Sequence, residues 1–382
     1  MKKIVIATDS FKGSLSAPEA CAIIARQAEL IFPEAEVVRL PISDGGDGLI
    51  DALLGQLNGV EGWVEAEDPL GRPKQVRYAV FKDGSALIEM AGTGGLTLLK
   101  AHECNPMRTS TYGVGLVILN AIKNDANPIY VGLGGSATVD GGTGAAAALG
   151  LSFHNENGEV VLSGEGLEQI QSIDSRKLSE LNYTGKIIFL TDVTNPLCGP
   201  NGAAAVFGPQ KGATPEQVAR LNRGLENLAE RIEQEAGIQL RDVPGMGAAG
   251  GFALPFVAFM RAEIRRGIDF VLDSINFDQI LIGAELVVTG EGRTDAQSTM
   301  GKAISAVAAR ASAAGARVGV ISGSLGPGSE RMFNLGVKDL VQAMPDGQSL
   351  QYAMENAAEN LERAAYDYFC RLNADQSIQL KN

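Results

Sequence analysis

The sequence predicts an α/β protein of two domains, one a Rossmann-like parallel sheet built from both ends of the chain and one a mixed α/β domain inserted between them. Three observations predict it. Apolar runs of strand length, such as Lys3–Thr8, Lys186–Leu190 and Arg317–Ser322, have the composition of strands buried on both faces of a parallel sheet. Strand–loop–helix units stand at the two ends, whereas alternating strands with Gly and Pro punctuation occupy the middle. A chain of 382 residues is also too long for one ordinary core. The expected boundaries give residues 1–63 and 281–382 to the first domain and 64–280 to the insert.

In chain order, Lys3–Thr8 is the first buried strand, and Pro18–Leu30 follows as a helix with proline in its first turn. Glu36–Leu40 is a second strand and Leu49–Leu57 a helix. Trp63–Glu67, Gln75–Phe81 and Ala86–Met90 read as antiparallel strands. Helix returns at Tyr112–Ile122, strand at Pro128–Val131, and an Ala-rich helical run at Ala145–Leu149. Ser152–Leu162 reads as a hairpin turning at Asn155–Gly158. Lys186–Leu190 is a strand and Pro215–Ala236 a long amphipathic helix. Gly245–Gly251 opens another helical segment. The α/β pattern resumes with strand Glu285–Thr289, helix Lys302–Ala314, strands Arg317–Ser322 and Asp339–Ala343, and a closing helix through Asn356–Cys370.

Composition narrows the function. A formal net charge of −13 disfavours nucleic acid and anionic membranes as partners. Four scattered cysteines without a CxxC pair indicate reduced thiols and a cytoplasmic protein, and two histidines leave little room for a His-based site. The basic start Met1-Lys2-Lys3 is followed by an apolar run ending at Asp9, too short for a signal peptide. No apolar stretch reaches the ~20 residues of a membrane span.

Five clusters share one design of glycines, acids, hydroxyls and sometimes a Lys or Arg: Asp9–Ser16, Asp44–Gly48, Gly132–Gly144, Asp192–Leu197 and Gly290–Gly301. The third, VGLGGSATVDGGTG over Val131–Gly144, is the most telling. It runs from a strand through a glycine loop into a helix, the arrangement by which backbone N–H groups and a helix N-terminus meet a phosphate. Gly132, Gly134, Gly135, Ser136, Ala137, Thr138 and Asp140 are therefore candidate nucleotide contacts. The set suits phosphoryl transfer from Mg-ATP to a small alcohol, which needs donors and cations on the phosphates, carboxylates for the metal and a residue orienting the attacking hydroxyl. Lys12 and Arg293 are the candidate cations, Arg293 with the planar fork that grips carboxylate or phosphoryl groups. Asp44, Asp47, Asp192 and Asp295 are candidate metal ligands, hydroxyl binders or bases, with Asp44 and Asp192 put first for Mg2+. Any one of them can equally be a cap or an Asx-turn.

Other readings fit less of the chain. Gly292 to Lys302 is no Walker A loop, because Ala296 and Ala303 replace its first glycine and its hydroxyl. Gly132-Leu-Gly-Gly-Ser-Ala137 matches the dinucleotide pattern GxGxxA, which keeps an oxidoreductase as a rival, but the hairpin pattern after it departs from a βαβ unit. PIYVGLGGSAT, Pro128–Thr138, also looks like the phosphate loop of the galactokinase–homoserine kinase superfamily, whose N-terminal signature is missing. A two-domain protein that binds its ligand without turnover is the third reading.

The combination resembles one family. DSFKGSLS (Asp9–Ser16), SDGGDG (Ser43–Gly48), GLGGSAT (Gly132–Thr138) with Asp140-Gly-Gly142, DVTNPL (Asp192–Leu197) and TGEGRTD (Thr289–Asp295) together resemble the bacterial glycerate kinases of the first class, in order and over nearly the whole chain. Val139 departs from the Asn expected in many relatives. The resemblance implies ATP-dependent phosphorylation of D-glycerate to 2-phosphoglycerate, and two α/β domains with the site in the cleft between them. Ser10, Phe11, Lys12, Asp44, Asp47 and Arg293 are the candidate contacts to glycerate; Lys12, Asp192, Asp295 and Arg293 are the candidate catalytic residues. Which cation meets the carboxylate and which the γ-phosphate stays open, and so does assembly, with a homodimer one arrangement.

Overall fold

The computed structural model describes residues 1–379 apart from 44, 46, 47 and 300–302, with the backbone alone for 376–379. Asp44 and Asp47 therefore lie outside the described residues. The chain divides into two compact units. One comprises Met1–Asp44, Asp51–Leu57 and Ile268–Asn382; the other comprises Gly45–Ile50 and Asn58–Gly267. Besides the short excursion over Gly45–Ile50, the chain changes unit at 57/58 and 267/268, where the sequence suggested 63/64 and 280/281. Val60–Glu67 pairs along its whole length with the strand after it, and the helix Gly267–Ser274 falls almost wholly within the first unit.

The strands are β1 Lys3–Thr8, β2 Glu36–Arg39, β3 Val60–Glu67, β4 Pro73–Val80, β5 Ala86–Glu89, β6 Ile129–Gly132, β7 Ser152–His154 and β8 Ser172–Asp174. After them come β9 Ile187–Leu190, β10 Glu263–Arg265, β11 Leu286–Gly290, β12 Arg293–Thr294, β13 Arg317–Ser322, β14 Ser324–Leu325 and β15 Val337–Gln342.

The first unit holds a five-stranded sheet in the order β15-β13-β11-β1-β2, parallel throughout. Numbered within this sheet, that is the doubly wound order 2-1-3-4-5, and the chain reverses its direction of winding between β1 and β11. Loops at the carboxyl ends of those two strands flank the topological switch point where ligands of such sheets bind. The apolar composition of β1 follows from its central place: Ile4, Val5, Ile6 and Ala7 are fully buried. Register places Thr8 level with Gly290, so the Asp9 and Glu291 loops leave the sheet side by side. Asp9 N–H donates to Gly290 O at 2.9 Å. The helix Ala17–Ile31 then starts at a capping box. Ser16 Oγ accepts from Glu19 N, and the Glu19 carboxylate accepts from Ser16 N at 2.8 Å.

The second unit holds a six-stranded sheet, β10-β9-β6-β5-β4-β3, parallel from β10 to β5 and antiparallel beyond. Glu89, Gly132 and Leu190 end three neighbouring parallel strands at one level. Phe189, Phe252 and Phe256 pack as a ring cluster with centroids 5.2–5.4 Å apart in this unit's core. Two local expectations change. The turn at Asn155–Gly158 forms, with Asn155 N–H on Glu159 O at 3.0 Å, but the hairpin shrinks to a bridge from His154 to Val160, and β7 takes β8 as its strand partner. The helix expected over Leu49–Leu57 covers only Leu49–Leu53.

Candidate active site

In the first unit, the Asp9–Ser16 loop is tied to itself. Phe11 and Leu15 exchange backbone hydrogen bonds at 2.8 and 3.0 Å, and Ser14 Oγ donates to Phe11 O. The Phe11 ring is buried in the apolar core of this unit, which makes it the loop's anchor, while Lys12 is exposed. Of the substrate contacts expected here, Lys12 and half-buried Ser10 remain accessible; the Phe11 ring does not. Gly292 lies so close that a Cβ there would stand 3.2 Å from Lys12 N and 3.4 Å from Phe11 Cα. A side chain at this position would press on the Lys12 backbone and need the two loops to give by a few tenths of an ångström.

The loop after β11 is a small hydroxyl–carboxylate network. Thr294 Oγ1 donates to the Glu291 carboxylate at 3.2 Å and shares a 2.6 Å hydrogen bond with Ser322 Oγ, and Ser298 Oγ also donates to Glu291. Asp295 accepts from Gln297 N at 2.9 Å, the Asx-turn role that its sequence setting allows. Its other carboxylate oxygen stands 3.4 Å from Arg293 Nε. Arg293 is mostly exposed, so this pair leaves the guanidinium able to reach a ligand. The fold thus brings Ser10, Lys12, Arg293 and Asp295 to the carboxyl edge of one sheet.

In the second unit, the glycine loop leaves β6 at the same kind of edge. Its tip, Gly134-Gly135, is the accessible part, and Gly135 has φ +71°, the left-handed region that favours glycine. Leu96 N–H donates to Gly135 O and Ala137 N–H to Gly94 O, which leaves the Gly134 and Gly135 N–H groups unengaged by other backbone among the described residues.

Asp140 behaves differently from the expectation of a nucleotide contact. It is fully buried, accepting from Thr111 N at 2.8 Å, Thr111 Oγ1 at 2.7 Å and Gly142 N at 3.1 Å. Burial pushes its carboxyl pKa up, against the pull of the Thr111 hydroxyl and N–H and the Gly142 and Gly144 N–H groups. The helix behind it, Thr143–Ala148, is short, and its start is capped from within by Asp140 and by Thr111 Oγ1, which accepts from Ala145 N at 3.0 Å. Any phosphate on this loop therefore meets the glycine tip and not a free helix N-terminus. Val139, where relatives are expected to carry Asn, is fully buried in the core.

One residue escaped the sequence reading altogether. Lys211 is 2% exposed, and its Nζ donates to Ser136 Oγ at 2.8 Å and to Thr138 O at 2.7 Å. Burial brings its pKa down to about 7, with Asp140 opposing the shift. The local signal, Pro-Gln-Lys-Gly before a helix cap, gave no hint of this contact.

Asp192 follows β9 on the strand next to β6. Its side chain is largely buried, with Oδ1 3.6 Å from Arg266 Nε, and Thr191 N–H ties the loop to Arg265 O at the end of β10. Asp192 and the glycine loop thus share one sheet edge. No group of three or more His, Cys, Asp or Glu side chains converges on a metal position among the described residues. All four cysteines are free thiols, and no described helix is long and apolar enough to cross a membrane.

Residues 4–373 match the profile of the Glycerate kinase family. The chain belongs to that family. It is 40% identical to a glycerate kinase of Bacillus subtilis strain 168 over 367 residues, 96% of each chain. It is 38% identical to a glycerate 2-kinase of Escherichia coli K12 over 365 residues, 95% of this chain and 96% of the other. A crystal structure described as that of a glycerate kinase 2 from Salmonella typhimurium LT2 superposes with a TM-score of 0.84 at 38% identity, covering 98% of this chain and 99% of that one. As a member of the glycerate kinase family, the chain is a phosphotransferase with an alcohol group as acceptor, taking ATP as its co-substrate and glycerate as the alcohol. The oxidoreductase and pure binding readings fall with this finding.

Proposed function

We propose that this member of the family transfers the γ-phosphoryl group of ATP to the 2-hydroxyl of D-glycerate, giving 2-phosphoglycerate. The glycine tip Gly134-Gly135 after β6 carries the nucleotide half of the reading, and the 2-hydroxyl as acceptor rests on the relative named a glycerate 2-kinase. In this reading Gly132, Gly134, Gly135, Ser136, Ala137 and Thr138 form the wall along the nucleotide phosphates, with the tip's N–H groups as donors. Lys12 and Arg293 supply the cations: one holds the glycerate carboxylate, the other the transferring group. Ser10 is a hydrogen-bonding neighbour of the substrate. Asp192 and Asp295 orient the attacking hydroxyl; a loose transition state needs little early proton removal, so their role is chiefly geometric.

Magnesium fits the donor set. Mg2+ on a nucleotide keeps several waters and takes one or two protein carboxylates together with phosphate oxygens, so the lack of a three-carboxylate cluster among the described residues is compatible with it. Asp192 is the described residue that would hold it, and the bound ion supplies neutralisation of the charge on the β- and γ-phosphates. Free thiols and an acidic surface suit work in the cytoplasm on small anionic substrates.

The deciding experiment couples product formation to enolase and pyruvate kinase without phosphoglycerate mutase. Signal with D-glycerate, ATP and Mg2+ is expected. Signal only after mutase is added would assign transfer to the 3-hydroxyl instead.

A further inference from the structure

We propose that Lys211 is a positioning residue for the nucleotide, clamping the glycine loop from beneath and placing a positive charge under the phosphates; this rests on reading that loop as the phosphate site. Three observations converge. First, its ammonium binds two points of the loop two residues apart, Ser136 Oγ at 2.8 Å and Thr138 O at 2.7 Å. A donor that bridges i and i+2 fixes the loop's local path, and Gly134-Gly135 immediately before it has no side chains with which to fix itself. Second, the group is buried. A lysine held out of water is costly unless it is hydrogen-bonded or near an opposite charge, and the acid Asp140 opposes the loss of its proton. Burial holds the Lys211 pKa near neutrality, where a bound polyanion would favour the charged form. Third, the spot keeps unspent polar capacity. Thr138 Oγ1 is buried without a hydrogen-bond partner among the described residues, and an ammonium has three donors of which two are placed.

Lys211 is held in turn by its own surroundings. It ends the short turn Pro209–Lys211, and the helix Pro215–Ala236 starts just beyond at a Thr214–Gln217 capping box. The residue that supports the loop is thus mounted on a long helix packed into the same core, through Leu221, Leu225 and Leu228. Rigid mounting of this kind is what a positioning role requires, because small errors in the placement of a reacting group cost rate steeply.

The test compares Lys211→Met, Lys211→Gln and Gly135→Val in steady-state kinetics, with melting temperature alongside. Lys211→Met should raise KM for ATP at least tenfold and leave KM for glycerate within twofold. Lys211→Gln keeps donors but loses the charge, and should raise KM for ATP at least threefold. A KM for ATP within twofold of the parent in Lys211→Gln would overturn the proposal, whether or not Lys211→Met folds. Equal rises in both KM values would overturn it too, since a merely structural lysine would disturb both substrates alike. Gly135→Val separates the underlying reading. If it keeps the parent affinity for ATP, the loop is not the phosphate site. If it loses ATP while both Lys211 variants keep it, the loop reading stands and only the role of Lys211 falls.

Discussion

Thr111 meets Asp140 twice, with its backbone N–H at 2.8 Å and its hydroxyl at 2.7 Å, in a fully buried position. The same hydroxyl accepts from Ala145 N at 3.0 Å. One threonine therefore joins the start of the helix Tyr112–Lys123, the glycine loop and the helix Thr143–Ala148. Thr111→Val keeps shape and removes the hydroxyl, leaving a buried carboxylate and an amide each short of a partner. The expected loss is about 1–3 kcal/mol of stability, read from the urea midpoint at constant m-value. A shift within about 0.5 kcal/mol, the range of an ordinary surface substitution, would mean that water replaces the hydroxyl.

Lys211 predicts a pH dependence with a definite sign. Its folded pKa, about 7, lies below the ordinary 10.5 because burial disfavours the charge. Between these values the unfolded chain binds a proton that the folded chain does not, so stability rises with pH across the window. The limiting slope is about 1.4 kcal/mol per pH unit. Parent and Lys211→Met should diverge between pH 7 and 9, the parent gaining relative to the variant. Parallel stability curves would place the folded pKa near its ordinary value.

The parts of the site that the sequence displays are those made by local chemistry. Glycine, acid and hydroxyl residues directly after apolar strands mark the candidate loop Asp9–Ser16 in the first unit and the candidate loops Gly132–Gly144 and Asp192–Leu197 in the second, because a parallel sheet presents its ligands at strand ends. What stays hidden is direction and distance. An aspartate in a glycine loop reads the same whether it faces a ligand or, like Asp140, the interior. Phe11 likewise sits in a polar octapeptide yet anchors it in the core. Lys211 acts 73 residues from Thr138, and nothing in its own turn signals that contact. The hairpin at Ser152–Leu162 yields to the same cause: its turn is local and forms, but the strand β8 that pairs with β7 lies beyond the local window.

Asp295 separates capping from chemistry in one substitution. Its Oδ1 accepts from Gln297 N at 2.9 Å, and its Oδ2 lies 3.4 Å from Arg293 Nε. Asparagine caps as well as aspartate, so Asp295→Asn should keep the turn and the melting temperature while removing the charge beside Arg293. A fall in kcat of at least ~10²-fold, the scale of a positioned acid–base group, is expected. Unchanged kcat would leave Asp295 with only the cap, and Asp295→Ala would then cost about 1 kcal/mol of stability and no rate.

Asp192 faces a rival explanation of its own, because Arg266 Nε stands 3.6 Å from its Oδ1. If the carboxylate served only that ion pair, removing either partner would have one and the same effect. Arg266 is half exposed, and pairs with an exposed partner are worth about 0–1 kcal/mol. Asp192→Asn and Arg266→Gln should then both melt near the parent and turn over near the parent rate. The position after β9, on the strand adjoining the glycine loop, predicts instead an unequal pair. Asp192→Asn should lower kcat at least ~10²-fold, with Arg266→Gln at most a few-fold slower. Varying Mg2+ adds the discriminating readout: a carboxylate that touches the nucleotide-bound ion should raise the half-saturating Mg2+ concentration when it becomes an amide, whereas an ion-pair partner should leave it where it was. Equal kinetics and equal Mg2+ dependence in the two variants would take Asp192 out of the active site.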